Sequence, residues 1–77
     1  MASPLAKPKR QLHPILSGLR DDVVVGGVTL VQLGEVSGYS HEAISNWLCG
    51  RSEPLLGNVA TVAEALGYEI RLVKKNG

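Results

Sequence analysis

The sequence predicts an all-α domain of four to five helices, and its pattern also allows a short C-terminal strand. Apolar residues recur at helical spacing in successive short segments. Glycines follow these segments, and Ser, Thr or Asn residues precede several of them, as helix termini require. A chain of 77 residues and 8.2 kDa provides one small domain and not two.

The composition is that of a globular intracellular protein. Apolar residues make up 44% of the chain, charged residues 19%, and phenylalanine is absent, so the core must be built from Leu, Val, Ile and Ala. Cys49 is the only cysteine, which excludes an intrachain disulfide, and with His13 and His41 it is too little for a four-ligand zinc site. We expect no metal, no cofactor, no membrane span and no signal peptide, and therefore a cytoplasmic location.

Charge is unevenly distributed along the chain. Residues 1–20 carry four basic residues and no acidic one, and residues 71–77 carry three more basic residues. Between Asp21 and Ile70, seven acidic residues stand against one basic residue, Arg51, which gives this segment a net charge of −6. The basic ends favour an acidic partner such as nucleic acid, whereas the acidic middle opposes one.

A first helix is predicted to begin at Pro14, after a flexible basic arm over residues 1–12. The arm contains two prolines and three basic residues and lacks a helical apolar period. Proline suits the first position of a helix, and the glycine pair at 26 and 27 ends this one. The β-branched run at residues 23–25 leaves a short strand as the alternative for the end of the helix. The apolar residues that share one face of the helix are Ile15, Leu19 and Val23.

The second and third helices are predicted to share a tight turn. Thr29 and Gln32 have the spacing of a capping box, which starts the second helix. Gly38 ends it because glycine readily adopts positive φ, Ser40 caps the third helix, and Gly50 ends that one. The apolar positions of the second helix are Leu30, Leu33 and Val36. The third helix buries Ala43, Ile44 and Trp47 and leaves outside His41, Glu42, Ser45 and Asn46.

A fourth helix and the short strand complete the pattern. Asn58 is a candidate N-cap of this helix and Gly67 is its stop; the apolar residues between them are Val59, Val62, Ala63 and Leu66. Residues 68–73 then alternate between apolar and polar, which is the period of a half-buried strand. A lone strand needs a partner, either the same segment of a second chain or the run at residues 23–25. Residues 74–77 form a polar tail.

Residues 29–51 read TLVQLGEVSGYSHEAISNWLCGR and resemble the helix-turn-helix of the phage repressor and Cro family, also called the xenobiotic response element family. Thr29 stands at the family's usual cap, Leu33 at its core leucine, and Gly38 at its turn glycine. Gly34 stands at the small residue where the two helices cross. The resemblance covers residues 29–67, about half of the chain, and implies a DNA-binding domain over residues 13–73.

The resemblance implies a homodimeric, repressor-like transcriptional regulator of phage or bacterial origin that binds double-stranded DNA. Its third helix, from about residue 41 to 48, would lie in the major groove. The implied base-contacting residues are His41, Glu42, Ser45 and Asn46. The implied phosphate contacts are Thr29, Gln32, Arg51, Asn58, Lys7, Lys9 and Arg10. The expected dimer interface consists of Tyr68, Ile70 and Leu72.

Each of these residues also has an interpretation without DNA. His41 can be a solvated residue at a helix start, and Glu42 is favoured there by the helix dipole alone. Arg51 can form a salt bridge with Glu53 in place of a phosphate contact. The basic arm can serve solubility only.

Departures from the family pattern indicate a second candidate function. Leu30 replaces a common phosphate-binding glutamine, Leu48 and Cys49 replace polar residues, and the valines at 23–25 replace polar or basic ones. A series of apolar residues at commonly solvated positions indicates an additional interface, natural or engineered, because large exposed apolar patches usually mark binding surfaces. The alternative is therefore a protein-interaction module on the same fold, either antitoxin-like or an engineered scaffold.

No enzyme is predicted. His41 and Glu42 are adjacent in a helix and point about 100° apart, so they cannot act as a relay. No nucleophile or phosphate-binding loop accompanies them. Cys49 lies near a predicted helix C-terminus, and we expect it to lack the positive dipole end and the basic neighbours that activate a thiol; intermolecular oxidation is the alternative.

Overall fold

The computed structural model describes residues 5 and 7–76, and within them the chain forms four α-helices and no strand. The all-α prediction is confirmed. The helices are α1 (Pro14–Gly26), α2 (Leu30–Ser37), α3 (His41–Leu48) and α4 (Leu56–Ala65). The longest, α1, has 13 residues, and no described helix is long and apolar enough to cross a membrane.

The prediction of a strand over residues 68–73 is wrong for the single chain, because this segment has no regular structure. The alternative strand at residues 23–25 is also wrong, because α1 runs through it to Gly26. Val23 is only 3% exposed, so its burial in the core outweighs the preference of β-branched residues for strands. With the valines in a helix, the segment 68–73 has no partner strand among residues 5 and 7–76.

The helix termini follow the local sequence closely. Gln32 N–H donates to Thr29 Oγ1 at 3.0 Å, and Thr29 N–H donates to Gln32 Oε1 at 3.0 Å, which completes the predicted capping box of α2. Ala43 N–H donates to Ser40 Oγ at 3.1 Å and caps α3. Gly38 has a φ of 86°, the left-handed conformation that the turn between these helices requires.

Two helix starts contain features that differ from the prediction. His13 is the N-cap of α1, and its Nδ1 accepts from Ile15 N–H at 3.1 Å. Leu55 is the N-cap of α4, so Asn58, predicted as the cap, is instead the third helical residue. Its Oδ1 accepts from Leu55 N–H at 2.9 Å, which satisfies one of the unpaired N–H groups at this helix start.

The core lies where the inner face of α3 meets α1 and α2. Ile44 and Cys49 are fully buried, and Leu48 and Leu33 are 1% and 2% exposed. Burial of each large aliphatic side chain contributes roughly 1.5–3 kcal/mol. Trp47 packs against this core from its edge and makes an edge-to-face contact with Tyr39 at a centroid distance of 5.2 Å. The core therefore fixes one side of α3 and leaves the other side outward.

Part of the segment predicted to be a flexible arm packs against the helices. Lys9 N–H donates to Cys49 O at 2.9 Å, and Leu5 and Leu12 are 7% and 9% exposed. Arg10 and Leu12 lie close to Gly50, where an added Cβ would be 3.2 Å and 3.4 Å from their side chains. The described part of the arm is thus joined to the end of α3, while residues 1–4 and 6 lie outside the described residues.

Candidate DNA interface

The predicted base-contacting residues lie together on the outer side of α3. His41 and Glu42 are exposed, and Ser45 and Asn46 are half-buried. These four side chains line one open depression with Arg51 and Leu30. We call the five polar residues, His41, Glu42, Ser45, Asn46 and Arg51, the reading face. Hydrogen-bond donors and acceptors therefore converge on one surface of a helix of a size that enters the major groove.

Arg51 belongs to the reading face because its side chain folds back over α3. Its Nε–H donates to Asn46 Oδ1 at 2.8 Å, and its Nη2–H donates to Ser45 Oγ at 2.9 Å. The salt bridge between Arg51 and Glu53, the alternative from the sequence, does not form. Glu53 instead lies 3.9 Å from Arg10 Nη2 in an exposed pair. The two side chains on α3 offer Arg51 oxygen acceptors in fixed positions, whereas Glu53 is 81% exposed on its side chain.

Thr29 and Gln32, predicted to contact phosphate, keep donors available after they have formed the capping box. Their oxygens accept the two backbone N–H groups, which leaves the Thr29 hydroxyl proton and the Gln32 Nε2 protons. The N-terminus of a helix also attracts anions through its dipole and unpaired N–H groups. The start of α2 is therefore chemically suited to a phosphate.

Asn58 lies at the start of α4 beside Tyr39, a residue that the sequence reasoning missed. The pKa of the Tyr39 phenol is lowered mainly by a side-chain hydrogen bond from Asn58 and then by one from Thr61, against a small opposing effect of burial. The only signal in the sequence was that a polar aromatic residue follows the turn at Gly38. Asn58 and Thr61 of α4 therefore face the Tyr39 phenol beside the α2–α3 turn.

The basic residues of the arm lie near the C-terminal end of α3. Lys7, Lys9 and Arg10 are exposed. Lys9 is held through its backbone, and Arg10 is held by its packing on Gly50 and its pairing with Glu53. Their charges offset part of the negative charge of the acidic middle segment on this side of the molecule.

Arg20 of α1 binds the C-terminus of α3. The sequence analysis did not predict this contact. Its Nη1–H donates to Leu48 O at 2.7 Å and lies 3.7 Å from Cys49 Sγ. The expectation that Cys49 lacks a basic neighbour is therefore wrong, because the neighbour comes from a helix 29 residues earlier in the chain. A cation at a helix C-terminus satisfies an unpaired carbonyl and complements the dipole.

The apolar residues predicted to form an interface divide into two groups. Leu48 and Cys49 are buried core residues, so that prediction is wrong for both of them. Leu30 and Val23 are buried as well. Val24 and Val25 are exposed, at 46% and 86%. Burial of Leu48 and Cys49 follows from contacts of the end of α3 with α1 and the arm, which local spacing does not reveal.

The residues predicted for a dimer interface differ in their exposure. Tyr68 is half-exposed, and its hydroxyl donates to Asp22 Oδ1 at 2.7 Å. This hydrogen bond joins the segment 68–73 to α1. Ile70 packs against the core of its own chain. Leu72 is fully exposed and Val73 is largely exposed. Within the segment 68–73, free apolar surface is therefore concentrated at Leu72 and Val73.

Comparison with family models matches residues 26–73 to the helix-turn-helix family. The match contains α2, α3 and α4 and therefore all of the reading face. Comparison with curated proteins and with solved structures found no match.

Proposed function

The chain belongs to the helix-turn-helix family of the Cro/C1 type, whose members are DNA-binding domains, and from this premise we propose that it is a homodimeric, sequence-specific transcriptional regulator of the repressor type. We place it in the cytoplasm of a bacterial host, as a protein of bacterial or phage origin, and assign it no catalytic activity. The domain proposed to bind DNA covers residues 13–73.

In this proposal α3 lies in the major groove and its outer side chains read base edges. The observation that carries the proposal is the reading face itself, since five polar residues from α3 and the following loop converge on one depression. A carboxylate such as Glu42 can accept from cytosine N4, and amide, hydroxyl and imidazole groups can bond other bases. Each well-formed contact with a base contributes roughly 1–3 kcal/mol of discrimination.

Phosphate contacts are proposed for the groups that flank α3. Thr29 and Gln32 have spare donors at the start of α2, and Asn58 lies at the start of α4. Lys7, Lys9 and Arg10 would bind the backbone beyond the C-terminal end of α3. Because residues 21–70 carry a net charge of −6, the basic residues outside this segment, the arm among them, must supply most of the electrostatic attraction.

The proposal is tested by fluorescence anisotropy against a random-sequence duplex pool across a salt titration, followed by sequencing of the bound fraction. We expect a steep loss of affinity with salt and an enriched palindrome whose half-sites lie about one helical turn apart. Asn46→Ala should relax the preference at one base pair. Lys7→Ala should instead weaken all sequences alike and reduce the salt slope by about one. Absence of binding at low salt would contradict the proposal.

The second candidate, a protein-interaction module, is favoured by exposed apolar side chains outside the reading face. Val25, Leu55 and Leu56 are 86%, 76% and 73% exposed. If a protein is the partner, polar substitution of Val24 and Val25 should abolish the assembly. Leu48 is unsuitable for this test because it is a core residue.

A further inference from the structure

The guanidinium of Arg51 is held by a set of contacts with one turn of α3. Its side edge, formed by Nε and Nη2, donates to Asn46 Oδ1 at 2.8 Å and Ser45 Oγ at 2.9 Å. The backbone takes part as well, because Arg51 N–H donates to Asn46 O at 2.9 Å. Gly50, with a φ of 75°, reverses the chain between the two residues. The fold therefore places Arg51 over α3 instead of directing it away into solvent.

These contacts change what Ser45 and Asn46 can offer to a base. Asn46 must present its oxygen to the Arg51 Nε–H, so the amide is oriented and its Nδ2 protons are the groups left to donate. Ser45 likewise accepts through its oxygen and is left with its hydroxyl proton. Arg51 has five N–H donors and uses two of them here, which leaves three. The three side chains together form a cluster whose remaining hydrogen-bonding capacity consists mainly of donors.

Building on the proposed function, we propose that Ser45, Asn46 and Arg51 act as one donor cluster that reads guanine, and that Arg51 is a specificity-determining residue. In the major groove guanine presents two neighbouring acceptors, N7 and O6, whereas adenine presents an acceptor beside a donor. An asparagine free to use both its oxygen and its nitrogen pairs with adenine. Engagement of the oxygen by Arg51 disfavours that pairing and favours guanine.

This role differs in a measurable way from a phosphate contact by Arg51. A phosphate contact depends on positive charge and affects all sequences equally. The donor cluster depends on the planar side edge of the guanidinium, which a lysine ammonium does not reproduce. Arg51→Lys keeps the charge and removes the edge, so it separates the two roles. Arg10→Lys is the matched control, because Arg10 is a basic residue of the interface without a hydrogen bond to Ser45 or Asn46 among the described residues.

The test is a selection from a random duplex pool with the full chain and with each variant, read at the base pair where Asn46→Ala loses preference. We expect guanine at this position for the unmodified chain and a shift towards adenine by about 5- to 100-fold for Arg51→Lys. The salt slope should be unchanged, and Arg10→Lys should keep the guanine. Selection of another base by the unmodified chain, or an unaltered preference in Arg51→Lys, would overturn the inference and leave the proposed function intact. If the unmodified chain binds no duplex, both fail.

A measurement without DNA tests the cluster separately. In 15N-resolved NMR spectra, the Arg51 Nε–H should exchange with water several-fold more slowly than the Nε–H of Arg10, whose exposed ion pair with Glu53 is formed through Nη2. Asn46→Ala should remove this protection, whereas Asn58→Ala should not. Equal exchange of the two arginines in the unmodified chain would overturn the cluster.

Discussion

At the scale of single residues, the pKa values of two tyrosines shift in opposite directions because different groups face their hydroxyls. The Tyr39 pKa is lowered below 10 because Asn58 and then Thr61 hydrogen bond to it. The Tyr68 pKa is raised above 10, first by its hydrogen bond to Asp22 and second by the charge of that carboxylate. The Tyr68 hydroxyl therefore reports the attachment of residues 68–73 to α1, and the Tyr39 hydroxyl reports the α4 side chains that face it.

We predict that the two tyrosines ionise in sequence, Tyr39 first. The Tyr68 contribution to stability is complete below its unfolded pKa and is lost as pH rises through its raised folded pKa. The Tyr39 contribution is present above its unfolded pKa and is lost as pH falls through its lowered folded pKa. Absorbance of phenolate in Tyr39→Phe and Tyr68→Phe measures each group alone. Asp22→Asn should return the pKa of Tyr68 towards 10. Coincident titrations of Tyr39→Phe and Tyr68→Phe would contradict the prediction.

At the scale of helices, the crossing of α2 and α3 depends on close backbone approach at Gly34. A Cβ at this position would lie 2.6 Å from Tyr39 O, which is a backbone atom that cannot rotate away. Gly18 in α1 provides the contrast, since a Cβ there meets no heavy atom outside its own helix backbone within 4 Å. The two glycines have the same local helical setting and differ in what packs against them.

We predict that Gly34→Ala destabilises the protein by about 1–3 kcal/mol, because overpacking outweighs the better helix propensity of alanine. Gly18→Ala should instead stabilise it by about 0.5–1 kcal/mol. Urea unfolding followed by the fluorescence of Trp47 measures both. If the two substitutions change the free energy of unfolding in the same direction, the close approach at Gly34 does not control the crossing.

The short helix α3 is held at both of its ends by side chains. Ser40 caps its start, and Arg20 bonds to Leu48 O at its end. A helix of eight residues is not stable alone in water, so these contacts and the burial of Ile44 maintain it. The orientation of the reading face therefore depends on α1 as well as on the residues of the motif.

At the scale of the whole molecule, the segment 68–73 is the proposed dimer interface between two copies of the chain. Leu72 and Val73 are largely exposed, and Tyr68 and Ile70 attach the start of the segment to the body. In a dimer the same segments could pair about a two-fold axis and bury this apolar surface. Two copies would also present two reading faces to a palindromic site.

We predict that sedimentation equilibrium at tens of micromolar shows a dimer and that Leu72→Asp shifts it to monomer. Because Leu72 is fully exposed in the single chain, this substitution should not unfold the protomer. Val25→Asp, also at a highly exposed valine, is the control and should remain dimeric. The segment 68–73 is excluded as the dimer interface if the unmodified chain is a monomer, or if Val25→Asp alone dissociates the dimer.

The local sequence was sufficient to predict the four helices and most of their termini. The capping box at Thr29, the cap at Ser40 and the glycine turn at Gly38 act over three or four residues, so they can be recognised without knowledge of the fold. The outer side of α3 was also predictable, because the spacing of apolar residues along a helix shows which side faces outward. The alternation in residues 68–73 indicated a strand wrongly, because a strand depends on a partner that the described part of the single chain does not supply.

The contacts that complete the site depend on residues distant in sequence or on competition between partners in space. Arg20 reaches the end of α3 from another helix, Leu48 and Cys49 are covered by α1 and the arm, and Arg51 binds Asn46 and Ser45 in preference to Glu53. Periodicity identifies which side of a helix is apolar, but it does not determine which element covers that side. Tertiary packing decides this, because burial and hydrogen bonding are determined by distances in space and not by spacing along the chain.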